Sequence, residues 1–414
     1  MIKPLNQNRT IFSRAHHLFK RKIPFYKPWA WYWWFFFGPW TWSFRFLSIF
    51  IPKKKGMVLF GSNEGRLYSD NSRALFEHIQ KKDTHLQAIW LTNNPDVYRQ
   101  VHAMYPGLVV MAPSIKSAYY YLRSEQIFLS FGWQDMCKMP WIPSKYVNQL
   151  WHGIPLKKIG LLKFKSELKK DYGKTVNLFL RSSGNVNRFF VASEYEKKTH
   201  TAAFGLTDDK FKLTGNPRND HLYSMSQKKK PTEQTILYTP TFRERRGGSG
   251  NHSQVLMHPE INEEQMHNFL VRNNANLIIR PHWITDPPVF SSERISCVTH
   301  DEEPDLHQIF KQADILVTDY SSAYIDWLIL DRPVIFSPYD LQSYTQKNGL
   351  LEDYTGLVPS PICHTPTELF SALSEALENP SIHATQREFM KQKYLGELGG
   401  NACDRILDIM TQEP

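Results

Sequence analysis

Residues 314–339 read DILVTDYSSAYIDWLILDRPVIFSPY. An apolar run at 314–320 leads into two serines and an amphipathic stretch at 321–330, and a second apolar run follows at 333–339. This order indicates a buried strand, a helix that begins at a serine cap, and another buried strand. Because strands joined by a crossover helix usually lie parallel in one sheet, the stretch predicts an α/β fold.

The same alternation of apolar runs and amphipathic stretches extends back to residue 57. Eight more runs have the length of buried strands, at 57–62, 86–92, 108–113, 126–131, 146–151, 188–193, 235–242 and 276–282. Further helices are predicted at 72–82, 194–204, 262–273, 305–313 and 366–378. Since this is too much chain for one sheet, we expect two doubly wound parallel-sheet (Rossmann-like) domains that face a cleft. The polar stretch SMSQKKKPTEQ at 224–234 is the predicted linker, which gives domains of 56–228 and 229–414.

Residues 1–55 form a separate N-terminal arm with its own charge. They contain eleven Lys or Arg and no Asp or Glu, whereas the whole chain of 414 residues has a net charge of +10. The other 359 residues therefore carry −1. This balance argues against a general polyanion-binding surface and against a nucleic-acid partner.

The arm is also rich in aromatic residues. Residues 28–52 hold six of the twelve tryptophans. We expect an anchor that lies in the plane of an anionic membrane surface and makes the protein peripheral at the cytoplasmic face. A transmembrane span and a buried aromatic hairpin are the alternatives, although Arg45 and Gly38-Pro39 interrupt the run as a span.

Cysteine and carboxylate spacing give no sign of a metal site. The four cysteines are scattered, which argues against a disulfide framework and against a CxxC metal site. No paired carboxylates of the DxD type follow a predicted strand, so a metal requirement is not indicated.

Polar and cationic residues follow five of the strands read from the sequence. Because parallel strands end at one edge of a sheet, residues at these positions collect where α/β sheets bind ligands. His152 and Gly153 follow one strand, His282 follows another, and Ser321 and Ser322 open the helix predicted at 321–330. The other two segments are GNPRND at 215–220 and TFRERR at 241–246.

Two kinds of chemistry suit these residues. The start of a helix at Ser321 offers free backbone N–H groups to an anion, although a plain helix cap has the same sequence. Arg243 and Arg280 follow apolar strands closely, where a guanidinium needs an anionic partner such as phosphate. A histidine such as His152 or His282 can accept a proton from an alcohol, although most histidines at strand ends are structural.

Six segments, in order along the chain, resemble the signatures of the CDP-glycerol glycerophosphotransferase family of teichoic acid primases and polymerases. They are GRLYSDNSRALFEH (65–78), LWHGIPLKKIG (150–160), GNPRND (215–220), YTPTFR (238–243), RPH (280–282) and VTDYSSAYIDWLILDRPVIFSPYDL (317–341). The resemblance covers about residues 56–410 and implies a GT-B-like pair of Rossmann domains. It also implies transfer of a polyol phosphate, with glycerol phosphate the first choice, from a CDP-activated donor to a lipid-linked saccharide or a growing polymer. CMP would be released, in the synthesis of teichoic acid, capsule or another cell-surface polymer.

The resemblance also implies roles for individual residues. Histidines at the positions of His152 and His282 would be essential, and either of them is a candidate for the general base. From their chemistry and their place at strand ends, we expect the donor-binding residues in the C-terminal domain to be Thr241, Arg243, Arg280, Asp319, Ser321, Ser322 and Asp326. On the acceptor side of the cleft, in the N-terminal domain, we expect Gly153, Asn216, Arg218 and Asp220. For Asp319 and Asp326 a structural role is an equal alternative. No cofactor is implied beyond the CDP-polyol substrate.

Two other functions remain open from the sequence. One is a GT-B glycosyltransferase that uses a nucleotide sugar, which would release a nucleoside diphosphate in place of CMP. The other is a non-catalytic binding protein anchored to a membrane. Within the first-choice function, glycerol or ribitol as the polyol and single addition or polymerisation are both left open.

Overall fold

The computed structural model describes residues 46, 48–82, 84–137, 144–167, 185–225, 233–241, 256–282 and 287–412. The chain forms two compact units, one of Met1–Pro52 with Met139–Pro143 and the other of Lys53–Lys138 with Ser144–Pro414. Of the smaller unit, a short helical segment at 48–50 is described, and the apolar side chains of Phe46, Ile49 and Phe50 are exposed. Most of the predicted arm of 1–55 lies outside the described residues. In the ranges described, no helix has the length and apolar character needed to cross a bilayer.

The larger unit contains two parallel sheets. The strands of the first are β1 (Lys54–Phe60), β2 (Gln87–Thr92), β3 (Val109–Met111), β4 (Ser124–Leu129), β5 (Tyr146–Gln149), β6 (Arg188–Val191) and β7 (Phe211–Leu213). They lie in the order β3-β2-β1-β4-β5-β6-β7, and each pairs in parallel with its neighbours. The strands of the second are β8 (Gln234–Thr239), β9 (Ala275–Ile279), β10 (Ile295–Cys297), β11 (Ile315–Thr318) and β12 (Val334–Phe336). Their order is β10-β9-β8-β11-β12, again all parallel.

Helices fill most of the connections between the strands. Those of the first sheet are α1 (Asp70–Lys81), α2 (Pro95–Met104), α3 (Ile115–Arg123), α4 (Gly160–Glu167), α5 (Glu194–Phe204) and α6 (Asp220–Tyr223). Those that follow are α7 (Glu263–Arg272), α8 (Leu306–Phe310), α9 (Ala323–Trp327), α10 (Leu341–Asn348), α11 (Tyr354–Leu357), α12 (Pro366–Glu378), α13 (Ala384–Leu395) and α14 (Ala402–Gln412).

Alternate residues of the central strands bury opposite faces of the second sheet. Leu237 and Leu316 lie in one apolar cluster, whereas Ile236 and Ile315 lie in another. Because neighbouring residues of a strand point to opposite faces, this division requires apolar cover on both sides, which the helices supply. The predicted α/β fold with two parallel sheets is therefore confirmed.

The last helix returns to the first sheet. Ile406 and Met410 of α14 lie in the same apolar cluster as Val58 and Phe60 of β1. Both carboxylate oxygens of Asp220 accept hydrogen bonds at the start of this helix, from the backbone N–H groups of residues 402 and 403 at 2.8 and 2.9 Å. Asp220 therefore satisfies backbone donors at a helix N-terminus, where a negative charge is stabilised.

Strand order reverses between β1 and β4 in the first sheet and between β8 and β11 in the second. The crevices at these two points are where doubly wound sheets bind ligands. A ligand site is therefore expected at the loops that follow β4, β8 and β11.

Candidate active site

His152 lies three residues beyond the end of β5 and is held in place by its own backbone. The side-chain amide of Asn71 donates to the carbonyls of Leu150 and Trp151 at 3.1 and 2.9 Å. Trp151 has a φ of +56°, a conformation that L-residues adopt at a cost unless their surroundings fix them. The buried amide thus fixes the turn that presents His152.

The imidazole of His152 has one defined hydrogen bond. Its Nδ1 lies 3.0 Å from the carbonyl oxygen of Ser130, the first residue after β4. The ring also stacks on Phe131, with centroids 4.2 Å apart and planes 10° apart. Because a carbonyl oxygen only accepts, Nδ1 must carry the proton, which leaves the lone pair of the neutral ring on Nε2. No partner of Nε2 is present among the described residues.

Charged neighbours modulate the basicity of His152. Burial lowers the pKa of His152, while Asp70 and the Ser130 carbonyl raise it and Arg218 lowers it further. Since the net shift is downward from an ordinary value of 6.5, the imidazole is neutral at pH 7. A neutral imidazole with a bare Nε2 is the form that a general base requires.

Arg218 connects His152 to both sheets. Its Nη1 donates to the His152 carbonyl and to Asp70 Oδ1, each at 2.9 Å. Its Nη2 lies 2.7 Å from Asp326 Oδ2. Burial would lower the pKa of Arg218, but Asp326 and Asp70 outweigh that effect and raise it, so the guanidinium is always charged.

Asp326, on α9, receives three side-chain donors. Besides Arg218, the Nδ2 of Asn219 lies 2.9 Å from Oδ1 and the Nε2 of His307 lies 3.2 Å from Oδ2. Burial opposes ionisation, yet Arg218 and His307 lower the pKa of Asp326 to about 2. Of the two roles that the sequence left open for Asp326, these contacts favour the structural one, because the carboxylate is taken up by protein donors.

Gly153 lies where the two halves of the larger unit meet. It has a φ of +129°, and a Cβ placed on it would lie 2.9 Å from Arg218 Nη2 and 3.5 Å from Ser322 Oγ. Only glycine fits this position without displacing its neighbours. The predicted acceptor-side residue Gly153 therefore lies beside the predicted donor-side residue Ser322.

The residues after Gly153 continue across to the second half. Lys157 forms an antiparallel bridge with Leu350. The N–H of Leu351 donates to the Leu156 carbonyl at 3.0 Å, and the N–H of Lys158 donates to the Gly349 carbonyl at 3.2 Å. The stretch 149–160 thus begins in the first sheet and ends bound to the second half.

A basic cluster, made of Arg280, His282, His300 and Lys157, gathers near the ends of β9 and β10. Burial lowers the pKa of His282, and the charge of Lys157 lowers it further. Burial, Arg280 and His282 together lower the pKa of His300 to about 4. Groups that perturb one another in this way lie close together, and a cluster of this kind suits a polyanion such as pyrophosphate.

Arg280 is only partly committed to protein partners. It is 4% exposed, and its Nη1 donates to the carbonyls of Val298, at 3.1 Å, and Thr299. Its Nε and Nη2 are buried and find no hydrogen-bond partner within the described part of the chain. Burial lowers the pKa of Arg280 to about 10, which still leaves it charged at neutral pH. Two nitrogens of the guanidinium, which carry three N–H groups, are therefore unpaired among the described residues.

The strand ends at the switch point of the second sheet are tied together. Asp319, after β11, accepts the backbone N–H of Thr241, after β8, at 2.9 Å. Ser321 Oγ accepts the N–H of Ala323, the first residue of α9, at 3.3 Å, and Ser322 occupies the N-cap position. Arg243, the remaining predicted donor residue, lies outside the described residues.

Asn216 is the last of the sequence-predicted site residues. It is 4% exposed, and its Nδ2 finds no hydrogen-bond partner in the described ranges. Asp220, which was also predicted for the cleft, instead accepts hydrogen bonds from the backbone at the start of α14.

Sequence reasoning missed Asp70, Lys157, His300 and His307. Asp70 and Lys157 lie inside segments that carry the family resemblance, so those segments held a signal for them.

Comparison with known proteins places this geometry in a family. Residues 43–412 match the family described as CDP-Glycerol:Poly(glycerophosphate) glycerophosphotransferase. The chain belongs to this family. It is accordingly a transferase of the glycerophosphotransferase type, as the resemblance predicted.

Named relatives within the glycerophosphotransferase family cover most of the chain. A teichoic acid glycerol-phosphate transferase from Staphylococcus aureus is 28% identical over 387 residues, which are 88% of this chain and 94% of that protein. A teichoic acid poly(glycerol phosphate) polymerase from Bacillus spizizenii is 25% identical, over 80% of this chain and 86% of its own length. A teichoic acid glycerol-phosphate primase from Bacillus subtilis is 25% identical, over 83% of each chain.

Solved structures share the fold. The wall teichoic acid polymerase TagF superposes with a TM-score of 0.70 at 21% identity, over 87% of this chain and 90% of that one. A protein from Listeria monocytogenes described as a UDP-N-acetylglucosamine 2-epimerase gives a TM-score of 0.52 at 14% identity, over 87% of this chain and 96% of that one. The two-sheet, GT-B-like architecture is therefore common to this glycerophosphotransferase and to nucleotide-sugar enzymes.

Proposed function

We propose that this chain transfers glycerol phosphate from CDP-glycerol to a hydroxyl of a teichoic-acid-type acceptor and releases CMP. Membership of the family and the names of its relatives support the reaction class. The observation that carries the proposal is the state of His152: a neutral imidazole whose Nδ1 proton is committed to Ser130 and whose Nε2 lone pair is available.

The reaction requires one base and a stabilised leaving group. Nε2 of His152 takes the proton of the acceptor hydroxyl while its oxygen forms a bond to the β-phosphorus of the donor. The bond from that phosphorus to the bridging oxygen breaks, and CMP leaves with the electron pair. Positioning and charge stabilisation provide most of the rate enhancement in phosphoryl transfer, and the base contributes about 10²–10⁴-fold.

The basic cluster near the ends of β9 and β10 is the proposed site of the donor pyrophosphate. Arg280, His282, His300 and Lys157 contribute positive charge or N–H donors, and two guanidinium nitrogens of Arg280 have no protein partner in the described residues. Ser322, beside Gly153, lies where the donor half meets the half that carries His152. The proposal thus assigns the base to His152, charge neutralisation to Arg280 and Lys157, and N–H donation to the pyrophosphate to His282.

A lipid-linked acceptor and a membrane surface extend the same proposal. The arm of residues 1–55 carries eleven basic side chains, and Phe46, Ile49 and Phe50 within it are exposed. Basic and exposed aromatic residues together favour binding to an anionic leaflet. We infer attachment at the cytoplasmic face, where a CDP-activated donor is available.

The test uses purified full-length protein with membranes that contain the acceptor. CDP-glycerol and CDP-ribitol are supplied in parallel, and CMP release and product mass are measured. We expect CMP and a mass increase of one or more glycerol phosphate units, with ribitol phosphate transfer at a lower rate. Release of a nucleoside diphosphate from a nucleotide sugar, with no turnover of either CDP-polyol, would overturn the proposal.

Variants connect the reaction to the site. We expect His152→Ala and His282→Ala to lose about 10²–10⁴-fold in turnover while they keep the circular dichroism of the native chain. The matched control is His102→Ala, because His102 is exposed on α2. Native turnover in folded His152→Ala would remove that histidine as the base.

A further inference from the structure

The loop after β4 contains a carboxylate that the proposed reaction does not use. Asp135 is fully buried. Its Oδ2 accepts the backbone N–H groups of Ser130, Phe131 and Gly132 at 2.9, 2.7 and 3.3 Å. Its Oδ1 accepts the N–H of Glu64 at 3.2 Å. These four hydrogen bonds from backbone N–H groups fix the Asp135 carboxylate within the loop.

One peptide unit joins this carboxylate to His152. The unit between Ser130 and Phe131 presents its carbonyl oxygen to His152 Nδ1 at 3.0 Å and its N–H to Asp135 Oδ2 at 2.7 Å. A hydrogen bond to a charged acceptor polarises the amide, which makes the carbonyl oxygen at its other end a stronger acceptor. The carboxylate thus acts on the imidazole through a single peptide group.

We propose that Asp135 is a positioning residue for His152, acting through the Ser130–Phe131 peptide to hold the ring in the Nδ1–H tautomer and to stabilise its protonated form. The proposal rests on the proposed function for the role of His152 as a base. An aspartate that bonds directly to the Nδ1–H of a catalytic histidine serves the same purpose in hydrolase triads. Here a peptide group stands between the two side chains.

The surrounding structure keeps this arrangement rigid. A Cβ on Gly61, at the end of β1, would lie 2.2 Å from the carbonyl oxygen of Asp135, so only glycine allows the loop to sit there. Ser130 Oγ lies 2.8 Å from Ser72 Oγ on α1. The loop is therefore fixed from β1 and from α1, and the Phe131 ring that it carries stacks on the imidazole.

The negative charge of Asp135 distinguishes a positioning role toward His152 from a purely structural role in closing the loop. Burial raises the pKa of Asp135 to about 6, against the effect of its four N–H donors, so it is ionised at pH 8. The titratable side chain beside it is Cys137, whose pKa is raised by burial and by Asp135. The groups that face His152 are Asp70 and Arg218, and His200 lies behind it. When His152 accepts a proton, the ionised Asp135 stabilises the imidazolium.

The first test is Asp135→Asn in the full-length enzyme, assayed with CDP-glycerol from pH 5.5 to 9. We expect turnover to fall by about 10-fold to 100-fold while the KM for CDP-glycerol stays within about twofold. The acidic limb of the rate profile should also move to lower pH, because the imidazolium loses support. The matched control is Asp314→Asn, since Asp314 likewise bonds a backbone N–H, that of Thr235 at 2.8 Å, but at the start of β11. Native turnover and an unmoved limb in folded Asp135→Asn would overturn the proposal.

A second measurement needs neither activity nor an Asp135 variant. In the wild-type chain, histidine side chains labelled with ¹⁵N are titrated, and the His152 signal is assigned by its absence from His152→Gln. We expect an Nδ1–H tautomer and an inflection of the His152 signal that coincides with the titration of the Asp135 carboxyl. An Nε2–H tautomer, or a signal that does not respond to Asp135, would contradict the proposal. Failure of the proposed function would show separately, as a wild-type enzyme that does not turn over CDP-glycerol.

Discussion

Arg218 and Asp326 lie 2.7 Å apart and form an ion pair between the two halves of the larger unit. Arg218 follows the last strand of the first sheet and also bonds Asp70 and the carbonyl of His152. Asp326 belongs to the helix after β11 of the second sheet. The position of the proposed base is therefore linked to the half that is proposed to hold the donor.

Breaking this pair should destabilise the protein and impair the reaction. In Asp326→Asn, Arg218 keeps its buried charge but loses its closest anionic partner, a change that typically costs about 3–5 kcal/mol. We expect a corresponding decrease in the free energy of unfolding in urea, together with reduced turnover. The control is Asp96→Asn, because Asp96 pairs with Arg99 on the surface, where side-chain exposures are 80% and 73%. That exposed pair should contribute about 0–1 kcal/mol. Equal changes in the free energy of unfolding for the two substitutions would show that the Arg218–Asp326 pair stabilises the fold no more than an exposed pair does.

Gly153 offers a test of the contact between the halves. In Gly153→Ala the new methyl group meets Arg218 Nη2 at 2.9 Å, in addition to the strain of an alanine at φ +129°. We expect kcat/KM to fall by about 10-fold or more, because the displacement reaches the His152 backbone that Arg218 binds. Gly107→Ala separates the two effects, since Gly107 has a φ of +84° but nothing within 4 Å of an added Cβ. Gly107→Ala should lose about 1 kcal/mol of stability and no activity. Native kcat/KM in Gly153→Ala would show that the approach of the halves at this point is not required.

Behind Trp151, a fully buried pair of titratable groups makes the stability depend on pH. Glu196 and His200 are 0% exposed, and Oε1 and Nδ1 lie 3.8 Å apart. Burial raises the pKa of Glu196 to about 8 and lowers the pKa of His200 to about 3. Both groups are therefore neutral at pH 7. Stability from the raised Glu196 is complete below its unfolded value near 4.5 and is lost as the pH rises to about 8. The contribution of His200 changes mainly below its ordinary value of 6.5, so Glu196 dominates the response of this pair between pH 6.5 and 8.

We expect Glu196→Gln to reduce this loss of stability. Relative to the wild type, its free energy of unfolding should increase between pH 6.5 and 8 by up to about 1.4 kcal/mol per pH unit. Urea unfolding at three pH values in that window measures the difference. Glu264→Gln, at an exposed position on α7, should run parallel to the wild type. Parallel curves for Glu196→Gln as well would mean that Glu196 is already ionised in the folded chain.

Much of the architecture follows from local pattern, and much of the site does not. Alternating apolar runs identified ten of the twelve strands in the two sheets, and the helix at 194–204 begins and ends where predicted. The runs did not include β7 or β10, because each has only three residues, FKL and ISC, with a polar residue in the middle. Strand ends directed attention to His152, His282 and Arg280, since parallel strands bring such residues to one edge.

Contacts distant in sequence decided what those residues do. Arg218 and Asp70 are 148 positions apart, and no local signal pairs them. Asp220 carries the expected charge beside the cleft motif, but its oxygens bind the start of α14, more than 180 positions later. In the sequence, nothing distinguishes Asp135 from other acidic residues in loops. In the fold, one peptide group connects it to His152. The positioning residues are therefore identified by contacts between segments that are distant in sequence, which local sequence patterns do not predict.

The arm of residues 1–55 should determine where the enzyme acts. It carries all of the chain's excess positive charge and six of its twelve tryptophans. Each basic residue near an anionic surface contributes about 1 kcal/mol of binding, and aromatic burial at the interface adds a contribution that salt does not screen. Deletion of residues 1–52 leaves β1, which begins at Lys54, intact. We expect the truncated chain to remain soluble after centrifugation with anionic vesicles that sediment the full-length chain, and high salt to release the full-length chain only in part. Turnover of a membrane acceptor should fall about 10-fold or more relative to that of a soluble acceptor analogue. Equal sedimentation of the two chains would place the anchor elsewhere, and a soluble but unfolded truncation would show that the aromatic run is a buried hairpin.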